Sequence, residues 1–283
     1  MTKRPFGDVT AAPVLLDDAA MRAFVVNGYH VVSPSTMALP TSFHTSLARK
    51  MEEGFADEDK RHETRESFND SLLRRLPEMR QLFADGAVNG ALTSILGRDW
   101  ALHSHSYAHD RYPTTAVQRE MIHKDGGFDG CYDGLVTRTR WALLLYYPQA
   151  IADDFGPTEI APSTHYLFEN PLPDPSVRGT PLTFEAPGTL VITSYELWHR
   201  ATFNRADSGR PCFMLKFMAG ALSEPAAGSP SWASVTRGGA TWAAHEPAHA
   251  LRAAHEQAWR WHLGASTTSP AERGGGGGGG GGG

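Results

Sequence analysis

The sequence predicts a mainly β fold with helical flanks (α+β), a jelly-roll barrel buttressed by helices. Three observations point to it. Apolar residues recur at helical spacing between 41 and 97, the spacing changes to that of strands near Trp100, and helical spacing returns beyond 246. Between about 100 and 220, short β-forming runs are separated by Gly and Pro turns. Finally, 283 residues suffice to bury a sizeable core in one domain. The expected organisation is a single domain over 1–263, with the barrel at about 100–220, helical flanks at 41–97 and 246–263, and a flexible Gly-rich tail at 264–283.

From Leu16 to Val32 the chain reads as a short helix running into a strand, with acids Asp17 and Asp18 at the helix start and β-formers around Gly28. Helices are expected at 42–51, 71–83 and 87–96, where Leu72, Leu76, Met79 and Leu82 share a face. The charged run Glu52 to Glu66 has almost nothing to bury and reads as a solvated loop. Strand alternation from Trp100 to Tyr107 places Leu102, Ser104 and Ser106 on one face and His103, His105 and Tyr107 on the other. Further strands are expected at 140–147, ended by Pro148, at 182–185, at 188–193 after the Pro187-Gly188 turn, at 196–203 and at 212–218. Beyond Pro230 a helix is expected from Glu246-Pro247, since Pro is tolerated in a first turn. That proline places His245 at or outside the helix start, so His245 and His249 do not make a zinc helix.

The net charge of -5 and the absence of a basic run argue against nucleic acid or an anionic membrane surface, and favour a small-molecule ligand. Cys131 and Cys212 are too few for a disulfide framework, no apolar run approaches membrane-spanning length, and the N-terminus lacks the long apolar region of a signal peptide. The expected setting is cytoplasmic, as a monomer or homodimer. The helical flanks serve equally as core packing or as a dimer surface.

The chemistry centres on His123-Lys124-Asp125 with His199 and Arg210. In extended chain, residues two apart point to the same face, as chelation by His123 and Asp125 requires. Two imidazoles and one carboxylate on one face of a metal leave the opposite positions open, the arrangement of non-haem Fe(II) oxygenases. Eleven residues beyond His199 stands Arg210, ahead of the apolar strand Pro211 to Phe217. An Arg inside a barrel is costly unless it meets a carboxylate, ideally in bidentate fashion, and a dicarboxylate cosubstrate is such a partner.

Taken together, His123-Lys-Asp125, Arg140 to Pro148, Gly156 to His165, Leu197-Trp-His199-Arg-Ala-Thr, Arg210 to Phe217 and Pro230-Ser-Trp232 resemble, in order and spacing, the phytanoyl-CoA dioxygenase (PhyH-like) family of Fe(II)/2-oxoglutarate oxygenases. The resemblance covers roughly Trp100 to Trp232. It implies a double-stranded β-helix, the cupin-like form of the jelly roll, with Fe(II) held by His123, Asp125 and His199. It also implies that Arg210 holds the distal carboxylate of 2-oxoglutarate and that Trp141 walls the cosubstrate pocket. Two departures stand out: Ser163 replaces the glycine of the family's Pro-Gly-Ser-His turn, which suggests a less extreme turn, and Ala201 replaces a hydroxyl that helps bind the cosubstrate in many members. His105 and Tyr107 are the candidate substrate contacts from the strand, and Phe128 and Tyr132 from a lid formed by the loop 126–134.

The implied activity is oxygenation of a C–H bond of a small, partly apolar metabolite with 2-oxoglutarate and O2. Because Asp125 occupies the position that halogenases leave open, hydroxylation in natural-product tailoring is expected, or the same chemistry diverted to epimerisation, desaturation or cyclisation. One rival is a jelly-roll protein that binds a metabolite or metal without turnover, which Arg210 turned to solvent would favour. Another is an oxygenase that does not use 2-oxoglutarate.

Overall fold

The computed structural model describes residues 12–55, 72–97, 100–115, 121–125, 141–166 and 179–221. Helix α1 (Asp18–Asn27) begins where the Asp17 carboxylate accepts a hydrogen bond from the Ala20 amide, an N-cap worth about 1 kcal/mol. It ends at Gly28, whose φ of 80° turns the chain directly into β1 (Tyr29–Val32). A Cβ at Gly28 would lie 2.5 Å from the His165 ring, so this position needs glycine for space as well as for its backbone.

The helical flank holds α2 (Thr41–Phe55), α3 (Leu72–Arg75), α4 (Met79–Ala84) and α5 (Gly86–Leu96). The stretch expected as one helix over 71–83 is two, because Pro77 offers no amide to continue the ladder and the chain turns over Leu76 to Glu78. Helix α5 is buried along nearly its whole length, and its cap Asp85 accepts from the Ala87 and Ala38 amides at 2.9 and 2.7 Å.

Among the described residues, eight strands follow the jelly-roll plan expected from the sequence. The larger sheet runs β1-β6-β3-β8-β2, built from β2 (Trp100–Arg111), β3 (Trp141–Tyr147), β6 (Thr189–Ser194) and β8 (Cys212–Ala221) with β1, and every pairing is antiparallel. The smaller runs β5-β4-β7, from β4 (Thr158–Ile160), β5 (Thr180–Pro181) and β7 (His199–Ala201). Two strands are shorter than expected. The segment 182–185 is not a continuous strand: the Leu182 amide still donates to the Thr158 carbonyl at 2.8 Å, and Phe184 then bridges Ile151 instead. The segment 196–203 is strand only over β7, because the turn closed by the Leu197 amide on the Ser194 carbonyl at 3.0 Å occupies its start.

One apolar layer, including Phe83, Leu92, Leu144 and Phe217, fills the space between the helices and the outer face of the larger sheet. The Phe83 and Phe217 rings meet edge to face at 5.0 Å. The other, with Trp141, Leu143, Leu145, Tyr147, Cys212 and Met214, lies inside the barrel. All seven residues of β3 are buried because both of its faces are covered, which explains its unbroken apolar sequence. Strand β2 has a register shift between Leu102 and Ser106, after which Tyr107, His109 and Arg111 pair with Lys216, Met214 and Cys212. Cross-strand partners share a face, so these three side chains point into the barrel with Met214 and Cys212, while Leu102 and Ala108 face the helices.

The expected helix at 246–263, the lid residues Phe128 and Tyr132 and the tail lie outside the described residues. No helix among the described residues is long and apolar enough to cross a membrane.

Candidate metal centre

His123 and His199 exchange backbone hydrogen bonds, at 2.9 and 2.7 Å, which adds His123 to the edge of β7 and places the two imidazoles side by side. Their ring centroids are 4.8 Å apart. Each Nδ1 stands 3.0 Å from a backbone carbonyl, of Met121 for His123 and of Leu197 for His199. If each Nδ1 carries its proton and donates to that carbonyl, both Nε2 lone pairs are free for a metal. Asp125 completes the cluster: one ligand atom from each of the three side chains lies within 4.8 Å of the others, and Asp125 Oδ2 is 3.9 Å from His199 Nε2.

The turn from Ala161 to His165 supports this arrangement from behind. Ser163 adopts the left-handed conformation at φ 67°, so the turn keeps the form that glycine would allow, contrary to the relaxed turn expected from the sequence. Hydrogen bonds offset the strain: Ser163 Oγ donates to the Val26 carbonyl at 2.8 Å and its amide to that of Asn27 at 3.0 Å. The Thr164 hydroxyl then accepts from the Trp198 amide at 3.1 Å, fixing the residue before His199.

Lys216 donates to Asp125 Oδ2 at 2.7 Å. Burial alone would raise the Asp125 pKa, but the Lys216 ammonium and the two imidazoles hold the carboxyl below its ordinary value. His199 is pushed down to about 4, mainly by burial, and His109 to about 3, by burial together with the charges of Lys216 and Arg111. At about 4, His199 is neutral near pH 7, as a metal ligand must be. Beside the centre, burial pushes Glu196 up to about 7 against the pull of Lys124, while Lys124 itself, lowered by burial, lies 5.9 Å from the Trp198 ring.

The site residues expected from the sequence fall into four groups. His123, Asp125 and His199 are brought together. Trp141 is buried in the barrel interior, its ring against the Gly220 backbone, and Tyr107 faces the centre with Lys216 Nζ 5.5 Å from its ring. Arg210 is not brought in: its carbonyl accepts from Asn204 Nδ2 at 2.8 Å, and the residue is exposed on the turn ahead of β8. His105 lies on β2, but its side chain is outside the described residues.

Sequence reading missed Lys216, His109, Arg111 and Thr158. The signal was simple alternation, since Lys216 is four residues beyond Cys212 on β8 and His109 and Arg111 continue the face of Tyr107 on β2.

No protein-family model matches the sequence, and no curated protein does. Among solved structures the fold is that of the non-haem iron, 2-oxoglutarate-dependent oxygenases. ThoJ, a non-haem monooxygenase in its apo form, aligns with a TM-score of 0.56 at 15% identity over 87% of this chain and 99% of its own. EctD from S. alaskensis, solved with 2-oxoglutarate and 5-hydroxyectoine, gives 0.55 at 18% over 78% and 83%. SnoK, a non-haem alpha-ketoglutarate-dependent carbocyclase from nogalamycin biosynthesis, gives 0.53 at 14% over 75% and 87%. At these identities the likeness establishes architecture.

Proposed function

We propose that the chain is an Fe(II)- and 2-oxoglutarate-dependent oxygenase acting on a C–H bond of a small, partly apolar metabolite. The observation that carries this reading is the pair of imidazoles whose Nδ1 atoms face carbonyls while one ligand atom of each of His123, His199 and Asp125 lies within 4.8 Å of the others. This donor set, two imidazole nitrogens and one carboxylate oxygen, suits Fe(II). With 2-oxoglutarate and O2 bound, iron supplies an oxidant strong enough to take hydrogen from carbon.

The chain's own residues bind, orient and shield. His123 and His199 hold the metal with their tautomers set by the backbone, Asp125 offers the third ligand, and Lys216 steadies it. Trp141, Leu143, Leu145 and Met218 line a dry interior that keeps water from the reacting centre. Tyr107 is the candidate substrate contact inside the barrel, and His105, Phe128 and Tyr132 are candidates from their place in the sequence. Hydroxylation in natural-product tailoring is the narrower reading, supported by the presence of Asp125. Cyclisation, epimerisation and desaturation use the same centre, and SnoK shows a carbocyclase on this architecture. The motif order supports membership of the phytanoyl-CoA dioxygenase family within this proposal.

The exposure of Arg210 favours a second reading, a jelly-roll protein that binds a metabolite or metal without turnover. Anaerobic addition of Fe(II) and 2-oxoglutarate to metal-free protein separates the two. An oxygenase gives the weak visible charge-transfer band of the chelate, loses it in His199→Ala, and releases succinate on exposure to O2. Iron binding without band or succinate would leave the binding protein.

A further inference from the structure

Arg111 ends β2 inside the barrel, half-buried, with its Nη1 donating to the Gly156 carbonyl and its Nη2 to the Thr158 hydroxyl at 3.0 Å. Other cations at the barrel have acidic partners: Arg200 meets Glu159, and Lys216 meets Asp125. Among the described residues Arg111 meets no carboxylate, although a half-buried guanidinium calls for one.

The surroundings are built to receive that carboxylate. Thr158 is 2% exposed and lies on the face of β4 that carries Ile160, directly across from Ala201. A threonine hydroxyl thus stands beside the position where Ala201 supplies none. The Tyr147 hydroxyl is buried against Thr158 and Arg111 without a well-formed hydrogen bond. Asn204 Nδ2 donates to the carbonyls of both Arg111 and Arg210, at 2.9 and 2.8 Å, holding one residue at the end of an inward strand and the other on the outer turn.

Placement relative to the metal ligands fits a short diacid. Ile160 pairs with His199 and Thr158 with Ala201, so Thr158 lies one inward step, about 7 Å, along the strand from the level of His199. A five-carbon diacid spans about 5 Å between its carboxyl carbons, leaving room for a hydrogen bond at the far end. On the inward face of β2, only His109 separates Arg111 from Tyr107, which stands opposite Lys216.

We propose that Arg111, with the hydroxyls of Thr158 and Tyr147, anchors the distal carboxylate of the 2-oxoglutarate cosubstrate, in place of Arg210. This inference rests on the oxygenase reading above, and it makes Arg111 the residue that selects a dicarboxylate over a simple 2-oxo acid.

The test is anaerobic titration of the Fe(II)-loaded protein with 2-oxoglutarate and, separately, with 2-oxopentanoate, which keeps the chelating end and lacks the distal carboxylate. The charge-transfer band reports each Kd. Arg111→Gln should weaken 2-oxoglutarate about 100-fold while leaving 2-oxopentanoate within about twofold, and Thr158→Val and Tyr147→Phe should each weaken 2-oxoglutarate about fivefold to tenfold. Arg210→Ala should change neither ligand by more than about twofold. The unchanged 2-oxopentanoate band certifies that the variants are folded and hold iron.

Selective loss of 2-oxoglutarate in Arg210→Ala, or equal loss of both ligands in Arg111→Gln, would overturn the assignment and leave the oxygenase reading standing. A wild-type protein that gives no band with either ligand would remove the oxygenase reading, and this inference with it.

Discussion

Lys216 and Asp125 form a 2.7 Å ion pair in which a side chain from the larger sheet holds a candidate iron ligand. In metal-free protein the ammonium stands where positive charge is needed, and a bound divalent cation takes over part of that task. Lys216→Met therefore takes the ammonium away from a largely buried carboxylate, and the metal-free protein should lose about 2–4 kcal/mol. Anaerobic Fe(II) should recover most of that loss. Thermal unfolding with and without metal checks it: the metal-induced rise in Tm should be larger in the variant than in the wild type, and an equal rise would show that the pair does not steady the ligand.

Glu196 carries a pH dependence of opposite sign to that of an ordinary salt-bridged acid. Its folded pKa of about 7 exceeds its unfolded value of 4.5, so the folded state binds more protons between those values. Stability from this group is fully present below pH 4.5 and is lost as pH rises through 7. Glu196→Gln should match the wild type near pH 5 and be the more stable protein at pH 8. Parallel Tm profiles across that range would contradict the assignment.

Gly28→Ala forces a side chain into a left-handed position against the His165 ring. Backbone strain alone costs roughly 1–2 kcal/mol, and the clash adds to it. His165 Nε2 lies 3.0 Å from the Val25 carbonyl, so moving the ring also disturbs the turn behind His199. Tm should fall by several degrees, and the Kd for Fe(II) should rise with it.

Ser163 allows a finer comparison. Ser163→Ala keeps the positive φ and loses the bond to the Val26 carbonyl, for a cost of about 1 kcal/mol. Ser163→Gly loses the same bond but relieves the strain, and should be nearly neutral. Urea midpoints that place glycine below alanine would show that the hydroxyl, and not the backbone, decides the conformation.

Much of the barrel was legible because strand alternation and Pro or Gly punctuation are local: β3 and β6 are continuous apolar runs bounded by turns, and His123, Asp125 and His199 fell into a recognisable order. Where β5 and β7 stop was less legible, since pairing partners and the turn at Tyr195-Glu196 decide it. Arg210 has the spacing of a cosubstrate anchor, but a turn held by Asn204 sets where the chain enters β8, and spacing does not encode that. Arg111 and Lys216 look like ordinary surface cations in the sequence. Only the pairing of β2 with β8 shows that both point inward.

The register shift in β2 has a consequence for insertions and deletions. Five residues on β2, from Leu102 to Ser106, are spanned by only three on β8, from Ala219 to Phe217. The surplus is even, so Leu102 and Ser106 keep the same orientation. Removing a single residue from this stretch would exchange Tyr107, His109 and Arg111 for Ser106, Ala108 and Asp110 on the side facing the candidate metal ligands, whereas removing two would restore the wild-type phase. The strand behaves as a two-state ratchet, so length variants that retain function should differ there by an even number of residues.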